Sequence, residues 1–277
     1  MGREDGHLLE GIKSFHRFIT FVLPKRTQAV VWHEVIVDFS NTLDFINKKK
    51  VEGHEITIFQ LVISALLRTV SQFPEINRFI YNHKFYARNE YSASFNVYKN
   101  EKTVLCKISC EPEWDIYTVS KKVKEVTDGA MTKPPDSSDK TLDILMKLPN
   151  FIISFYASLL YPWLIDKGIL PWKSYKDNPL YCSAMITDIG SFGLTSLFHH
   201  HFEWGSMSVF ITMGVLHKAP VVTPEGTLKV SDVIKFGFTL DDRICDAKKK
   251  ADMLLFFKEC VENPWVLEAS PSKVVRE

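Results

Sequence analysis

An uncharged stretch of 18 residues, 148–165, restricts the fold of this sequence more than any other feature. Its length lies at the lower limit for a helix that spans a membrane. Two prolines and three polar residues interrupt the stretch: Pro149, Pro162, Asn150, Ser154 and Ser158. Because both kinds of residue are unfavourable in a spanning helix, we expect a hairpin that is buried or lies at an interface. We assign it to a helical apolar insertion at about 141–175.

The composition is that of an ordinary globular protein. Hydrophobic residues make up 45% and charged residues 24% of the 277 residues, which excludes a disordered or collagen-like chain. The 34 basic and 33 acidic side chains nearly balance, whereas a nucleic-acid-binding domain normally carries a basic excess. We therefore expect no nucleic-acid partner.

The N-terminus and the cysteines indicate the cellular compartment. The first ten residues include charged side chains and lack the apolar core of a signal peptide, so we expect no export. The five cysteines lack the paired spacing of a zinc site, which favours free thiols in a reducing environment. We predict a cytoplasmic protein.

Strand and helix patterns alternate along the chain and predict an α/β fold. β-branched residues at 28–38 predict a strand, and apolar side chains at helical spacing after Thr57 predict an amphipathic helix that ends before Pro74. Two neighbouring strands are expected at 91–99 and 103–109.

Four segments resemble, in the same order, the catalytic domain of dihydrolipoyl acyltransferases, the core subunits of 2-oxo acid dehydrogenase complexes, and more distantly chloramphenicol acetyltransferase. They are PKRTQAVVWHEVIVDFSNTLDFI (24–46), ITIFQLVISALLRTVSQFPEINRFI (56–80), MITDIGSFGLTS (185–196) and FTLDDRICDAKKKADMLLFFKECVENPWVL (238–267). The first twenty residues leave no room for the lipoyl and subunit-binding domains, so the chain resembles a stand-alone relative.

The resemblance implies one α/β domain over residues 1–277, of the chloramphenicol acetyltransferase-like type, in which a two-layer mixed sheet carries flanking helices. It implies a homotrimer with active sites at the subunit interfaces. It also implies coenzyme A-dependent acyl transfer from an acyl-thioester to a thiol or hydroxyl acceptor. Acyl-coenzyme A is then a substrate, a histidine is the general base, and no metal takes part.

The sequence departs from the family's motif Asp-His-Arg-x-x-Asp-Gly, which stands here as DDRICDA (241–247). Asp242 occupies the position of the catalytic histidine, whereas Arg243 and Asp246 match the pair that holds the loop. The reference pKa of aspartate lies about 2.6 below that of histidine, which equals about 3.5 kcal/mol of proton affinity. Ala247 replaces the glycine, and would strain the turn if that position needs a positive φ.

Three interpretations of the missing histidine stay open. In the first, Asp242 is buried in an apolar tunnel, where desolvation makes it a stronger base. In the second, His199 and His201, which share one face of an extended segment, supply the base instead. In the third, the site is inactive, and the protein is a scaffold or an acyl-coenzyme A-binding module.

Two further residues have both a catalytic and a structural interpretation. Thr187 matches the family's serine that donates a hydrogen bond to the tetrahedral oxyanion, and the alternative is an ordinary strand hydroxyl. Cys245 lies within the motif but has no identifiable activating group, which favours a packed thiol. The histidines at 199–201 offer at most two ligands on one face, so we expect no metal site.

The aromatic residues of the uncharged stretch support a narrower hypothesis. The stretch forms an acyl-chain channel or lies on a membrane surface, and in the latter case the protein is peripheral to the membrane.

Overall fold

The computed structural model describes residues 3–99, 102–132, 146–223 and 225–277. Its strands, in chain order, are β1 (Gly6–Leu8), β2 (Val30–Asp38), β3 (Arg78–Tyr81), β4 (Lys84–Arg88), β5 (Tyr91–Lys99), β6 (Lys102–Cys110), β7 (Ala184–Asp188), β8 (Val209–Met213), β9 (His217–Val222) and β10 (Leu228–Asp241). Its helices are α1 (Ser14–Val22), α2 (Ser40–Val51), α3 (Ile58–Gln72), α4 (Ile116–Thr132), α5 (Asn150–Phe155), α6 (Tyr161–Asp166) and α7 (Ala247–Glu262).

A mixed sheet forms the centre of the fold. Its strand order is β2-β10-β8-β7-β5-β6, and β9 pairs with the first part of β10. β7 runs parallel to β5 and β8, whereas β10 is antiparallel to β2, β8 and β9. The predicted mixed sheet with flanking helices is confirmed.

Helices α3 and α7 cover one face of this sheet. Thr57 and Gln60 form a capping box at the start of α3, and the helix ends just before Pro74, as its pattern predicts. Phe257 of α7 packs edge-on against Phe236 and Phe238 of β10, with ring centroids 5.4 and 5.2 Å apart. Side chains at even-numbered positions of β10 therefore face the main core.

A loop at 194–204 covers the opposite face of the sheet. It lies so close that a Cβ on Gly237 would come within 2.1 Å of the Leu197 carbonyl oxygen, and one on Gly214 within 1.5 Å of the Thr195 carbonyl oxygen. Glycine at both positions therefore allows this loop to contact the strands directly. The three histidines belong to the same loop.

A smaller antiparallel sheet, β1-β4-β3, joins the N-terminal residues to the body. Its β3–β4 turn consists of Asn82 and His83, whose φ values of 46° and 59° are those of a tight hairpin turn. Beside it, Arg3 forms a buried ion pair with Asp5, with Nη2 2.7 Å from Oδ2.

The uncharged stretch forms one continuous helix, which we call the insertion helix: α5, a π-helical turn (Tyr156–Leu160) and α6. The predicted hairpin is wrong, because the helix continues through Pro162, which lies just after the π-helical turn. The part of the predicted insertion at 141–145 lies outside the described residues. In the described part of the chain, every helix is too short or too polar to cross a membrane.

Candidate functional site

The motif loop follows β10 directly, and its first two residues face opposite ways. Asp241 is fully buried and accepts hydrogen bonds from the guanidinium of Arg243, with Nε 2.8 Å from Oδ1 and Nη2 2.7 Å from Oδ2. Arg243 also donates through Nη1 to the carbonyl oxygen of Leu23, 2.8 Å away. This buried bidentate pair ties the motif loop to the segment after α1.

The expected pairing of Arg243 with Asp246 is wrong. The Asp246 side chain is 64% exposed, and its Oδ1 lies 3.1 Å from Nε2 of His16. Asp241 takes the expected role because it precedes Arg243 by two residues in a tight turn, in which the Arg243 backbone N–H also donates to Asp241 Oδ1.

Asp242 lies at the surface of the single chain. Its side chain is 46% exposed, and its Oδ1 lies 2.7 Å from Nζ of Lys250 on α7. The expected burial in an apolar tunnel is therefore not met within one chain. The Asp242 backbone N–H donates to the carbonyl oxygen of Ala29, so this position is fixed by the residue before β2 as well as by α7.

The remaining motif residues are structural. Cys245 is buried, and desolvation raises the pKa of its thiol to about 11, which supports the interpretation as a packed thiol. Ala247 is the first residue of α7 and does not have a positive φ, so the expected strain is absent at this residue.

His199 and His201 contact two residues that pair with each other in the sheet. The His199 ring stacks on Phe210, with centroids 4.1 Å apart, and His201 Nε2 donates to the carbonyl oxygen of Thr239, 2.9 Å away. Phe210 and Thr239 are paired across β8 and β10.

The two histidines differ in what they can do. His201 is fully buried, and desolvation lowers its pKa, so it is neutral and donates its Nε2 proton to the backbone. His199 is half-buried, with its pKa lowered by desolvation, and its Nδ1 donates to the His200 carbonyl oxygen. A neutral His199 therefore keeps Nε2 as a proton acceptor.

Thr187 lies near the end of β7 and is half-buried. Its Oγ1 accepts a hydrogen bond from Nδ2 of Asn96 on β5, 3.0 Å away. Because the amide supplies the proton in this bond, the Thr187 hydroxyl keeps its own proton for another acceptor. The sequence gives no signal for Asn96, since the contact depends on how β5 and β7 pair across 91 residues of chain.

Thr187 and Asp242 lie at opposite ends of the sheet. Thr187 pairs with Thr212, and Thr212 pairs with Gly237 of β10. Asp242 is five residues beyond Gly237, and five strand residues span roughly 17 Å. Thr187 and Asp242 of one chain therefore cannot meet around one reacting group.

A basic pocket lies at the Thr187 end of the sheet, beside the first turn of α3. Its cavity of about 540 Å³ has these charged or titratable residues in its lining: Lys50, His54, Glu55, Lys121 and Lys124. Phe59 of α3 packs edge-on against Phe95 of β5, with centroids 5.6 Å apart. Phe95 pairs with Ile186, the residue before Thr187.

Metal binding finds no support in the described ranges, in which no group of three or more His, Cys, Asp or Glu side chains is placed to hold an ion. Lys250, whose Nζ contacts Asp242 and the Cys245 carbonyl oxygen, is a residue near the motif that the sequence patterns did not single out. Its position, four residues after Asp246 on the helix, could have indicated that it faces the motif loop.

Comparison with known proteins identifies the type of fold. Residues 182–269 match the family model of the 2-oxoacid dehydrogenases acyltransferase (catalytic domain). No curated protein matches the chain.

Solved acyltransferase structures are similar over most of the chain. A probable dihydrolipoamide acetyltransferase from Listeria monocytogenes is 17% identical, with a TM-score of 0.61 over 98% of this chain and 99% of that one. The dihydrolipoamide acetyltransferase of Azotobacter vinelandii is 10% identical, with a TM-score of 0.61 over 91% and 90%. A chloramphenicol acetyltransferase is 12% identical, with a TM-score of 0.54 over 93% and 98%. The chain has the chloramphenicol acetyltransferase-like fold, and the resemblance seen in its motifs is confirmed.

Proposed function

From the acyltransferase fold and the family match at residues 182–269, we propose that this protein transfers an acyl group from acyl-coenzyme A to a thiol or hydroxyl acceptor. The observation that carries the proposal is the Thr187–Asn96 pair, which leaves one hydroxyl proton free at the position matching the family's oxyanion donor. A preorganised donor of this kind stabilises the charge that forms on the thioester oxygen.

The site is completed by a second copy of the chain. With Asp242 as the base, a neighbouring chain must supply either Asp242 or Thr187, because these two residues of one chain lie roughly 17 Å apart along the sheet. A homotrimer with sites at its interfaces meets this requirement. Contact with the neighbour would also cover Asp242, which is half exposed in the single chain.

In the reaction, a base takes the proton from the acceptor S–H or O–H, and the sulfur or oxygen attacks the thioester carbonyl carbon. The resulting oxyanion accepts the Thr187 hydrogen bond. When the tetrahedral intermediate collapses, the carbon–sulfur bond to coenzyme A breaks, and the leaving thiolate takes the proton back from the base. Acyl group, proton and charge are then balanced.

Two residues are candidates for the base. Asp242 occupies the family position, and Lys250 and Ala29 fix its geometry. His199 is the alternative, because its Nδ1–H donates to a carbonyl and leaves Nε2 as an acceptor. His201 is the weaker choice, since it is fully buried and bonded to the backbone.

The basic pocket beside α3 supports coenzyme A as the acyl carrier. Three lysines and one glutamate line it, so it attracts a ligand with several negative charges such as the phosphates of coenzyme A.

The insertion helix favours a lipid-like acyl group or acceptor and peripheral contact with a membrane. Its outer side carries an exposed apolar stripe every fourth residue: Phe151 (74% exposed), Phe155 (55%), Leu159 (60%) and Trp163 (46%). Residues four apart are not exactly in line along a helix: in an α-helix the second lies slightly past a full turn, and in the wider π turn slightly short of one. The two offsets oppose each other, so the stripe stays on one side of the insertion helix. Exposed lysines at 147 and 167 flank the helix, a pattern typical of helices that lie in a membrane interface.

The alternative function is an inactive scaffold or acyl-coenzyme A-binding protein, favoured by the absence of the family's histidine from the motif. Release of coenzyme A thiol from acyl-coenzyme A separates the two functions. Asp242→Asn should abolish turnover if Asp242 is the base, and His199→Gln should do so if His199 is. Asp252→Asn, on the outer side of α7, is the matched control.

If the wild-type protein shows no turnover, a thermal shift with coenzyme A decides between the remaining interpretations. Saturation at a hundred times the dissociation constant should stabilise a binding protein by about 2.7 kcal/mol. Absence of both turnover and stabilisation would contradict the proposal and leave the scaffold.

A further inference from the structure

A second cavity, which we call the arginine cavity, lies beneath the insertion helix and on the Asp242 side of the fold. It has a volume of about 630 Å³. Ala157, Ser158 and Pro162 of the insertion helix line it, as does Thr20 near the end of α1. The proposed acyl transfer does not use this cavity.

Four cations and one carboxylate line the arginine cavity: Arg3, Lys25, Arg26, Arg243 and Glu203. Two of the cations are neutralised, Arg3 by Asp5 and Arg243 by Asp241. Lys25 is exposed and forms no ion pair with any residue that the structure describes.

Arg26 is the unusual cation of this set. It is buried, and among the residues that the structure describes its guanidinium donates only to two backbone carbonyl oxygens, of Phe202 (3.2 Å) and Gly205 (3.0 Å). Glu203 is held instead by the backbone N–H groups of Arg26 and Thr27 and by the Thr27 hydroxyl.

A charged guanidinium that is buried and contacts no carboxylate is destabilising. Desolvation is the largest influence on Arg26 and lowers its pKa to about 10, although the charges of Asp241 and Glu203 oppose this. A buried cation with unused donor capacity beside a cavity is well placed for an anionic ligand.

The walls of the cavity indicate what the anion is attached to. Tyr81, Tyr181 and Trp204 supply aromatic surface. The indole N–H of Trp204 is buried and has no hydrogen-bond partner among the residues with described positions. Aromatic walls beside cationic donors suit a polar anion on an apolar or aromatic body.

We propose that the arginine cavity binds a phosphate monoester carried on an apolar or aromatic body, with Arg26 and Lys25 as its cationic partners. The guanidinium fork matches the geometry of phosphate oxygens, and a monoester carries up to two negative charges near neutral pH, which Arg26 and Lys25 can contact. The carboxylate of Glu203 is already held by the backbone N–H groups of Arg26 and Thr27 and by the Thr27 hydroxyl. The phosphate comes from a soluble ester or from a lipid headgroup reached beside the insertion helix. Binding at this cavity is independent of the proposed acyl transfer.

The test is calorimetric titration of the protein with phenyl phosphate, with phenol as the uncharged counterpart. Phenyl phosphate should bind and phenol should not. Lys25→Glu reverses a charge at the cavity without removing any ion pair, and should weaken binding about three- to tenfold. Lys173→Glu, an exposed lysine that does not line the cavity, makes the same charge change and should leave binding unaltered.

Arg26→Lys is the second variant, because it keeps the charge and removes the fork. It should weaken phenyl phosphate binding while the circular dichroism spectrum stays that of the wild type. Absence of phenyl phosphate binding by the wild-type protein, or equal weakening by Lys25→Glu and Lys173→Glu, would overturn the proposal.

Vesicle flotation identifies the source of the phosphate. Retention on phosphatidylcholine vesicles that contain phosphatidic acid, reversed by phenyl phosphate, would support a lipid headgroup. Phenyl phosphate binding without such retention would support a soluble ester. Retention that phenyl phosphate and Lys25→Glu both leave unchanged would come from the apolar stripe of the insertion helix, and would exclude a lipid headgroup as the source of the phosphate.

Discussion

Lys250 and Asp242 form an ion pair that fixes the motif loop to α7, with Nζ 2.7 Å from Oδ1. The same Nζ donates to the carbonyl oxygens of Asp242 and Cys245, at 2.9 and 2.7 Å. The ammonium group thus satisfies two backbone acceptors as well as one carboxylate oxygen. With its side chain only 8% exposed, Lys250 is a positioning residue for Asp242.

Replacing Lys250 should loosen the motif loop. Lys250→Met removes three hydrogen bonds and leaves buried carbonyl oxygens without a donor, so we expect a loss of about 1–3 kcal/mol in the free energy of unfolding and a reduced turnover. The half-exposed carboxylate adds little to this figure because solvent screens it. Denaturant unfolding measures the effect.

Lys248→Met is the matched control for that variant. Lys248 lies on the same helix, is 83% exposed and pairs only with the exposed Asp252, so its loss should change stability by less than about 0.5 kcal/mol. Equal effects of the two variants would contradict a positioning role for Lys250.

The pairing of Arg243 with Asp241 predicts which aspartate matters for stability. Asp241→Asn leaves a buried guanidinium without its counter-charge and should cost about 3–5 kcal/mol. Asp246→Asn removes an exposed contact to His16 and should be nearly neutral. Thermal unfolding of both variants tests the assignment, and a larger effect at Asp246 would restore the pairing expected from the family.

Sequence patterns predicted the parts of this fold that depend on local chemistry. Helix α3 was predictable because its capping box and Pro74 are adjacent in sequence to the residues they control. The partner of Arg243 was predicted wrongly, because a motif gives spacing but not the direction in which each side chain leaves the turn. The Asn96–Thr187 contact was not predictable, because it depends on the parallel register of two strands distant in sequence.

The oxyanion role of Thr187 predicts a kinetic difference between close variants. Thr187→Ala removes the donor and should lower kcat by about 100-fold, with little change in KM, because the bond forms mainly in the transition state. Thr187→Ser keeps the hydroxyl and should retain most of the activity. Asn96→Ala should give an intermediate loss, since Asn96 only orients that hydroxyl.

These variants also distinguish catalysis from folding. If Thr187→Ala lowers the unfolding temperature so far that part of the protein is unfolded in the assay, and this unfolded fraction accounts for the lost turnover, the hydroxyl is structural. Equal turnover by the alanine and serine variants would exclude an oxyanion role.

The buried His201 predicts a pH dependence of stability. Desolvation lowers its pKa in the folded state, so the unfolded chain binds the proton more readily. The contribution of His201 to the free energy of unfolding is fully present above the pKa of about 6.5 that histidine has in the unfolded chain. It is lost as the pH falls below that value, by at most about 1.4 kcal/mol for each pH unit.

Unfolding free energies of the wild type and of His201→Gln, compared between pH 7.5 and 5, measure this contribution. The variant should lose stability more slowly on acidification, whereas His200→Gln at the exposed neighbouring position should follow the wild type. Parallel curves for wild type and His201→Gln would show that His201 does not titrate differently on folding.

The apolar stripe of the insertion helix predicts binding to lipid vesicles. The double variant Phe155→Ser, Leu159→Ser removes two of its exposed apolar side chains and should at least halve the fraction of protein that floats with anionic vesicles, because interfacial binding scales with buried apolar area. Leu255→Ser, at an equally exposed position on α7, is the control for general loss of surface hydrophobicity. If the double variant floats like the wild type but dissociates into single chains, the stripe packs against a neighbouring copy, and the membrane interpretation is wrong.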